Sequence, residues 1–337
     1  MAVNCMEKIR VAIVGCGGVH VNHARAIVSN KSTELVGVCD IVPARAEASS
    51  KEFGGAVMGF DEILGDGSIK SVHICTPHFE HAPIAVKAME AGKMVMLEKP
   101  LAVNLSQAEE VLAVSQRTKA HFGVCFQNRY RPVIRNMYDL MRDGKLGKIL
   151  GGRAFVTWKR DAAYYKSVNW RGSWQREGGS LLINQTIHTL DLLQWLFGGV
   201  SDVKGTISRH VFDGVIETED TAELRLISNQ GCPLLFYATT GYVEDSAVFI
   251  EVVAENARLH CEDVLTINWK DGRKEVITEE QASGPKAYWG VQHTTLINDF
   301  YDTYLKGEKF PIDASEAIQT MRLLDKIYND PKINRCR

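Results

Sequence analysis

Strand and helix patterns alternate through the first 125 residues, and this alternation is the strongest constraint on how the chain can fold. Apolar runs typical of buried strands are separated by segments with helical spacing. The predicted strands span 8–15, 33–40, 71–75, 93–97 and 121–126, and the helices span 19–29, 43–53, 78–91 and a segment capped by Ser106. Such strands are typical of a parallel sheet buried on both faces. The pattern therefore predicts a doubly wound α/β sheet with right-handed crossovers.

The pattern changes near residue 128, where strands with alternating polar and apolar residues begin. After a helix to about residue 141, predicted strands span 148–158, 200–210, 221–228, 234–240 and 248–254, and predicted helices span about 180–197, 290–305 and 313–328. The alternation favours a mainly antiparallel sheet with one face packed on helices. We expect a dinucleotide-binding Rossmann domain at 1–128. An α+β domain with a large, open sheet should follow at 129–337, where it binds substrate and forms a homodimer or homotetramer.

Composition agrees with a globular enzyme. Of 337 residues, 45% are hydrophobic and 24% charged, and the net charge of -2 gives no reason to expect nucleic acid or an anionic membrane as partner. No apolar run approaches the length of a membrane-spanning helix. The first eight residues lack the layout of a signal peptide, and the eight cysteines form no CxxC pair. We therefore expect a reduced, cytoplasmic protein.

A glycine-rich turn follows the first predicted strand. Gly15 and Gly17 permit a tight turn, and the backbone N–H groups of Gly18, Val19 and His20 would then meet a pyrophosphate at a helix N-terminus. His20 stands where the usual fingerprint has its third glycine. An ordinary tight turn between strand and helix is the alternative, and the position between a strand and a helix favours the phosphate loop.

Asp40 ends the second predicted strand, 25 positions after Gly15. An acid at this place accepts hydrogen bonds from the adenosine ribose and repels a 2′-phosphate. The sequence therefore favours NAD over NADP, although Arg45 lies near enough to soften the preference.

Two histidine pairs have HxxH spacing, namely His20 with His23 and His78 with His81. This spacing could place two imidazoles on one helix face, where they could bind a metal. Because no carboxylate or cysteine spacing completes a tetrahedral set, we expect no metal. Histidines on helix surfaces or caps are the favoured alternative.

Lys99 lies between Glu98 and Pro100 at the end of a predicted strand, about 80 residues after the glycine turn. Open α/β sheets bind ligands beyond their strand carboxyl ends, so a lysine here is a candidate acid–base group. A structural Glu98–Lys99 charge pair is the alternative. Thr76-Pro77 follows another strand at the same edge, where it would lie beside a cofactor or form a plain turn.

The predicted helix at 180–197 carries Asn184 and His188. Their i, i+4 spacing places both side chains on one face, and a histidine can act as a base near neutral pH. A histidine in such an apolar helix can equally be a core residue. Gly178 and Gly179 before the helix favour the functional interpretation, since small residues allow a ligand to approach closely.

Taken together, these segments resemble the Gfo/Idh/MocA oxidoreductases, named for glucose-fructose oxidoreductase and inositol dehydrogenase. The similarity runs from about residue 8 to 328. Its markers are GCGGVHVNHA (15–24), CTPHFEH (75–81), AGKMVMLEKP (91–100), FQNRYRP (126–132), WRGSW (170–174) and GGSLLINQTIHTLD (178–191). The resemblance implies that Lys99 and His188 form the catalytic pair. Asn184 stands where many members have an aspartate. Because asparagine lacks the charge, the sequence does not decide whether a proton relay passes through that position.

The resemblance implies hydride transfer between a nicotinamide cofactor and a secondary alcohol of a sugar, polyol or nucleotide-linked sugar. We expect catalytic roles for Lys99, His188 and Asn184. Further cofactor contacts are expected at Thr76, Pro77, His81, Glu98, Lys99, Gln127 and Asn128, and substrate contacts at Lys99, Arg129, Trp170, Arg171, Asn184, His188 and His293. For His293, a place on a helix surface is an equal alternative.

Two other functions remain open at this point. The family resemblance also covers glycosidases that use bound NAD for transient oxidation, and NAD-binding regulators without catalytic activity. An intact pair of Lys99 and His188 argues against the regulator.

Overall fold

The computed structural model describes residues 7–279 and 292–336, which divide by their contacts into two compact units. The first unit comprises 7–127 with 292–318, and the second comprises 128–279 with 319–336. The predicted functional domains, 1–128 and 129–337, remain a prediction. In the structure, residues 292–318 pack with the first unit.

Buried apolar strands and helices alternate up to residue 126, as predicted. The elements are β1 (Ile9–Val14), α1 (His20–Ser29), β2 (Thr33–Cys39), α2 (Pro43–Phe53), β3 (Ala56–Val57), α3 (Phe60–Gly65), β4 (Ser71–Ile74), α4 (His78–Glu90), β5 (Met94–Leu97), α5 (Leu105–Thr118) and β6 (Phe122–Val124). Short β3 and α3 were not predicted. The cap of α5 was predicted wrongly, because the Asn104 side chain, rather than that of Ser106, accepts a hydrogen bond from Gln107 N.

The six strands form one parallel sheet in the order β3-β2-β1-β4-β5-β6. The order reverses between β1 and β4, and this confirms the predicted doubly wound sheet. Ligands of such sheets bind beyond the strand carboxyl ends at the reversal. The loops after β1, β2, β4 and β5 therefore lie along the functional edge.

A 3₁₀ turn (Gln127–Tyr130) follows the last strand of the first sheet, and most of the elements after it are strands. The elements are α6 (Pro132–Leu140), β7 (Ile149–Thr157), α7 (Ala162–Lys166), a π-helix (Leu181–Gln185), α8 (Ile187–Leu196), β8 (Val200–Ser208), β9 (Thr221–Ser228), β10 (Pro233–Thr239), β11 (Phe249–Ala254), β12 (Ala257–Cys261), β13 (Leu265–Trp269), β14 (Lys274–Ile277), α9 (His293–Lys306), α10 (Ala314–Asn329) and β15 (Ile333–Cys336). The predicted helix start near residue 290 lies outside the described residues.

Nine strands of the second unit form a single sheet in the order β14-β13-β12-β11-β7-β10-β9-β8-β15. The pairs β10–β7 and β15–β8 are parallel, and the other neighbours are antiparallel. The predicted α+β unit with a large, mainly antiparallel sheet is therefore confirmed, with strands β12 to β15 added.

Across the described residues, no helix combines the length and the apolar character needed to cross a membrane. The expected cytoplasmic location remains a prediction.

Candidate functional site

The turn between β1 and α1 has the conformation that a phosphate loop needs. Gly15 has φ of 94°, and a Cβ there would meet the backbone of Cys75 at 2.7 Å and of Thr76 at 2.8 Å. A side chain at Gly17 would instead find nothing within 4 Å. Helix α1 has no side-chain cap, so its first-turn N–H groups are not satisfied by a capping side chain. The turn can therefore present backbone donors to an anion.

Asp40 is bound to this turn. Its Oδ2 accepts a hydrogen bond from Cys16 N at 2.7 Å, and its Oδ1 accepts one from Val42 N at 2.8 Å. Each carboxylate oxygen has a second acceptor position. Asp40 can thus keep both backbone bonds while accepting from ribose hydroxyls. Arg45 lies exposed in the first turn of α2.

Two further groups at this edge fit a dinucleotide. The hydroxyl Oγ1 of Thr76, directly after β4, is buried and has no hydrogen-bond partner within the described part of the chain. The same holds for Nε2 of His20, whose Nδ1 lies within hydrogen-bond distance of Gly17 O. Orphaned polar atoms beside an uncapped glycine turn are expected where a polar ligand completes the site.

Lys99 follows β5 at the same sheet edge and is partly buried. The next residue, Pro100, is joined through a cis peptide bond. His81 lies 2.7 Å from Pro100 O through Nδ1 and 2.9 Å from Thr76 O through Nε2. Since His81 is 1% exposed and both ring nitrogens contact backbone carbonyls, it connects the segments that carry Thr76 and Lys99. This arrangement indicates a structural role for His81, and its predicted cofactor contact remains untested.

Glu98 faces the interior of the first unit. Its Oε1 lies 2.9 Å from His23 Nε2 and 3.4 Å from His293 Nε2. A hydrogen-bonded chain continues from His23 Nδ1 to His73 Nδ1 at 2.8 Å, and from His73 Nε2 to the Tyr301 hydroxyl at 2.8 Å. Burial alone would raise the pKa of Glu98, but its bonds with the two histidines hold that pKa well below its usual range. Burial lowers the pKa of both His23 and His73.

These positions correct two sequence-based expectations. The histidines of both HxxH pairs are all buried, so the expected places on helix surfaces are wrong, whereas His20 and His78 do lie at helix starts, as the first residues of α1 and α4. His293 is likewise 4% exposed and directed at Glu98, which excludes the surface alternative and indicates an interior role; its predicted substrate contact remains untested.

The interior cluster also contains the thiol of Cys125. Ligand atoms of His23, Glu98, Cys125 and His293 all lie within 4.8 Å of one another, so the carboxylate and thiol that the sequence spacing failed to reveal are present. However, both nitrogens of His23 already make hydrogen bonds, and burial raises the pKa of the Cys125 thiol well above its usual value. A metal would need the thiolate and a released imidazole. The expectation that no metal binds remains a prediction.

The sequence predicted one regular helix carrying Asn184 and His188. In the structure, the two residues of the second unit lie in different helices. Asn184 belongs to the π-helix, which is closed by a 2.8 Å bond from Thr186 N to Leu181 O, and His188 lies in α8. Thr186 separates the two helices. Single π turns are found frequently at functional sites. The i, i+4 argument for a shared face therefore does not apply across this junction.

Glu177 is a partner of Asn184 that the sequence did not indicate. Asn184 Nδ2 donates to Glu177 Oε1 at 2.5 Å, and Gly172 N donates a short hydrogen bond to Glu177 Oε2. Glu177 is 1% exposed. An acid directly before the Gly178-Gly179 pair was the available signal, and spacing alone could not connect it with a side chain seven residues later.

Gly179, the second glycine of the Gly178-Gly179 pair, serves packing rather than ligand approach. Gly179 has φ of 143°, and a Cβ there would collide with the hydroxyl of Tyr328. That hydroxyl donates to Glu219 Oε1 at 2.8 Å, which also accepts from Leu182 N at 2.9 Å. The space above Gly179 is filled by Tyr328, so the predicted reason for the small residue is wrong at this position.

Arg129, a predicted substrate contact, is 3% exposed. Its Nε donates to Asp191 Oδ2 at 2.7 Å and its Nη2 to Oδ1 at 2.6 Å, while Thr320 Oγ1 donates to Oδ1 at 2.7 Å. The bidentate pair fixes the segment after residue 127 to α8. This geometry indicates a structural role, and contact with substrate stays a prediction.

The remaining predicted residues lie in loops. Arg171 donates to Tyr164 O at 2.9 Å and its guanidinium lies 4.0 Å from the centre of the Tyr164 ring, with partly buried Trp170 beside it. Gln127 is buried in the first unit, and Asn128 is partly buried in the second.

Two family models match the chain. Residues 9–126 match the GFO_IDH_MocA model, described as an oxidoreductase family with an NAD-binding Rossmann fold. Residues 134–260 match the GFO/IDH/MocA C-terminal domain. The two matches cover the strands and loops that carry Gly15, Asp40, Lys99, Asn184 and His188.

Two curated relatives are similar over part of their length. The chain is 30% identical over 190 residues to inositol 2-dehydrogenase of Rhizobium meliloti, covering 56% of this chain and 55% of the relative. It is 31% identical over 191 residues to glucose-6-phosphate 3-dehydrogenase of Bacillus subtilis, covering 56% and 53%. The matched region thus spans about half the length of these relatives.

A solved structure matches nearly the whole chain. The WlbA dehydrogenase from Bordetella pertussis, crystallised with NADH and UDP-GlcNAcA, superposes with a TM-score of 0.82 at 25% identity, covering 96% of each chain. The likeness therefore extends through both units.

Proposed function

Because the chain belongs to the Gfo/Idh/MocA oxidoreductase family, we propose that it is an NAD-dependent dehydrogenase acting on a secondary alcohol of a sugar, polyol or nucleotide-linked sugar. The observation that carries the proposal is Lys99 at the carboxyl end of β5, on the same sheet edge as the glycine turn and Asp40. The activities named for the two curated relatives and the ligands of the WlbA dehydrogenase support this substrate class.

The residues of the first unit would hold the cofactor. The uncapped turn after Gly15 binds the pyrophosphate through backbone N–H groups, and Asp40 accepts from the adenosine ribose. The Thr76 hydroxyl supplies a further polar contact. When bound, the nicotinamide ring supplies the acceptor or donor of the hydride.

Lys99 and His188 would handle the substrate hydroxyl. In the oxidising direction, the carbinol carbon loses a hydride and its hydroxyl loses a proton, which leaves a carbonyl. Either the Lys99 ammonium stabilises the oxygen while its charge changes and neutral His188 takes the proton, or Lys99 is the neutral amine and takes the proton itself. Asn184 orients the hydroxyl through its amide.

Cofactor choice gives one prediction. NAD should bind at least about tenfold more tightly than NADP, or about 1.4 kcal/mol, because a 2′-phosphate would lie against the Asp40 carboxylate. Fluorescence titration of both cofactors measures the ratio, and Asp40→Ser should narrow it. Equal affinities in the wild-type protein would contradict this assignment.

The substrate class is tested by a screen. NAD reduction is followed with polyols, aldoses, uronic acids and nucleotide-linked sugars. Free NADH should accumulate at steady state with at least one of these alcohols. A glycosidase of the transient-oxidation kind would recycle its cofactor and release none, and a regulator would bind NAD without turnover.

The open face of the nine-stranded sheet gives a second prediction. Leu235 on β10 is 53% exposed. On the same face, the rings of Phe155 and Phe249 stack on each other with their centres 5.2 Å apart. Arg153 and Glu251 pair on the same face at 2.8 Å. Exposed apolar patches of this kind mark protein–protein contacts. We expect a homodimer or homotetramer in light scattering, and Leu235→Arg should lower the measured mass; a wild-type monomer at micromolar concentration would refute this.

A further inference from the structure

A buried carboxyl group holds the side-chain amide of Asn184. Glu177 is 1% exposed, and its two oxygens are used separately: Oε1 accepts from Asn184 Nδ2 and Oε2 accepts from Gly172 N. Both partners donate. The carboxylate form, which only accepts, satisfies both of them at once.

This contact fixes which way round the Asn184 amide lies. The two arms of an amide differ, since Nδ2 only donates and Oδ1 only accepts. Because Nδ2 points at Glu177, Oδ1 points to the side away from Glu177. The ionised Glu177 therefore determines that the far side of Asn184 is an acceptor, which is the group that a substrate hydroxyl or a protonated imidazole needs.

The surroundings of Glu177 make its charge sensitive to pH. Burial raises its pKa to about 7, against the opposing effect of the hydrogen bonds from Gly172 and Asn184. The charged and titratable groups that face it are the carboxyl of Glu219, the guanidinium of Arg171 and the phenols of Tyr164, Tyr165 and Tyr328. Glu219 is itself buried, with its pKa raised by burial, and its negative charge adds to the upward shift of the Glu177 pKa.

We propose that Glu177 is a positioning residue for the dehydrogenase reaction proposed above, on which this inference rests: ionised, it turns Asn184 Oδ1 toward the substrate hydroxyl, and protonated, it reverses the amide. The protonated acid has one donor and one acceptor oxygen. Gly172 N–H keeps the acceptor, so the acid O–H meets Asn184, which must then offer Oδ1. Nδ2 turns to the far side and presents a donor where the substrate needs an acceptor.

Glu177→Gln imposes the reversed state permanently. The carbonyl of the introduced glutamine accepts from Gly172 N, and its amide then donates to Asn184 Oδ1. We expect kcat/KM to fall about 10- to 100-fold, as when a buried polar group loses its partner. Adding Asn184→Asp should restore most of the loss, since a carboxylate accepts from the introduced glutamine amide on one side and still offers an acceptor on the other. A purely structural role would not predict rescue by the second substitution.

Glu217→Gln is the matched control. Glu217 also accepts a backbone hydrogen bond, from Trp174 N at 3.1 Å, but is exposed. This variant should keep kcat/KM within about twofold of wild type. Equal losses in the two glutamine variants, or failure of Asn184→Asp to improve Glu177→Gln, would overturn the inference.

A second measurement needs no substrate and separates this inference from the proposed function. In protein labelled with ¹⁵N-asparagine, the side-chain signal of Asn184, identified by its loss in Asn184→Asp, should shift with pH around a midpoint near 7, the pKa of Glu177. Glu177→Gln should abolish that shift. A signal that is unchanged between about pH 5.5 and 8.5 in the wild type would overturn the role of Glu177 even if dehydrogenase activity is found. If the Asn184 signal shifts with pH but no substrate is turned over, the link between Glu177 and Asn184 is supported. Only the proposed dehydrogenase function would then be contradicted.

Discussion

Lys99→Ala is expected to lower turnover by about 10²–10⁴-fold, the range for losing a positioned proton-transfer group. Lys99 lies beyond β5, whereas the glycine turn and Asp40 follow β1 and β2. The substitution should therefore leave NAD affinity nearly unchanged. Turnover on a substrate from the screen, corrected for the folded fraction, measures the first effect, and cofactor titration measures the second.

His188→Asn should produce a comparable loss. If the two side chains act on one proton, the double variant should lose less than the product of the single losses, because groups that act as a unit are not additive. A structural role predicts instead that both variants are less stable but keep their turnover per folded molecule. If Lys99→Ala keeps its turnover within a few-fold of wild type, the proposed catalytic role of Lys99 is wrong.

Asp191→Ala is expected to lower the free energy of unfolding of the second unit by about 3–5 kcal/mol, as for other broken buried ion pairs. The Arg129 guanidinium would remain buried without its carboxylate, and Thr320 would lose the acceptor of its hydroxyl. Urea denaturation followed by circular dichroism measures the change.

An exposed ion pair provides the comparison. Arg117 and Glu90 lie 2.7 Å apart, with side chains 63% and 47% exposed. Because solvent and salt screen such pairs, Glu90→Ala should change stability by less than about 1 kcal/mol. A similar effect at the two sites would show that the Arg129–Asp191 pair does not fix the segment after residue 127 to α8.

The first sheet was predictable because its signals are local. Each buried strand, each helix and the glycine turn is encoded within a short run of consecutive residues, and the bounds of β1, α1, β2 and α2 agree closely with the patterns. Strand β15 was missed for the opposite reason. It depends on pairing with β8, which lies far earlier in the chain, and no local pattern encodes that pairing.

In the candidate site, too, contacts join residues that are far apart in the chain, and local patterns do not reveal such contacts. Sequence patterns correctly placed Asp40 and Lys99 just beyond the ends of β2 and β5, because each position depends on a local strand signal. The bond between His23 and Glu98 joins residues 75 positions apart, so neither side chain could be assigned its partner beforehand. Glu177 was missed although it is near Asn184, because an α-helical pattern does not reveal a π turn.

The π turn makes chain length, rather than residue type, a determinant of where the Asn184 side chain lies. A π turn accommodates one more residue per hydrogen bond than an α turn. A relative that lacks one residue between Ser180 and Thr186 could form a regular helix here, which would rotate the counterpart of Asn184 away from any acid at position 177. Insertion or loss of a single codon would thus move Asn184 relative to Glu177 while every residue of the proposed site is kept.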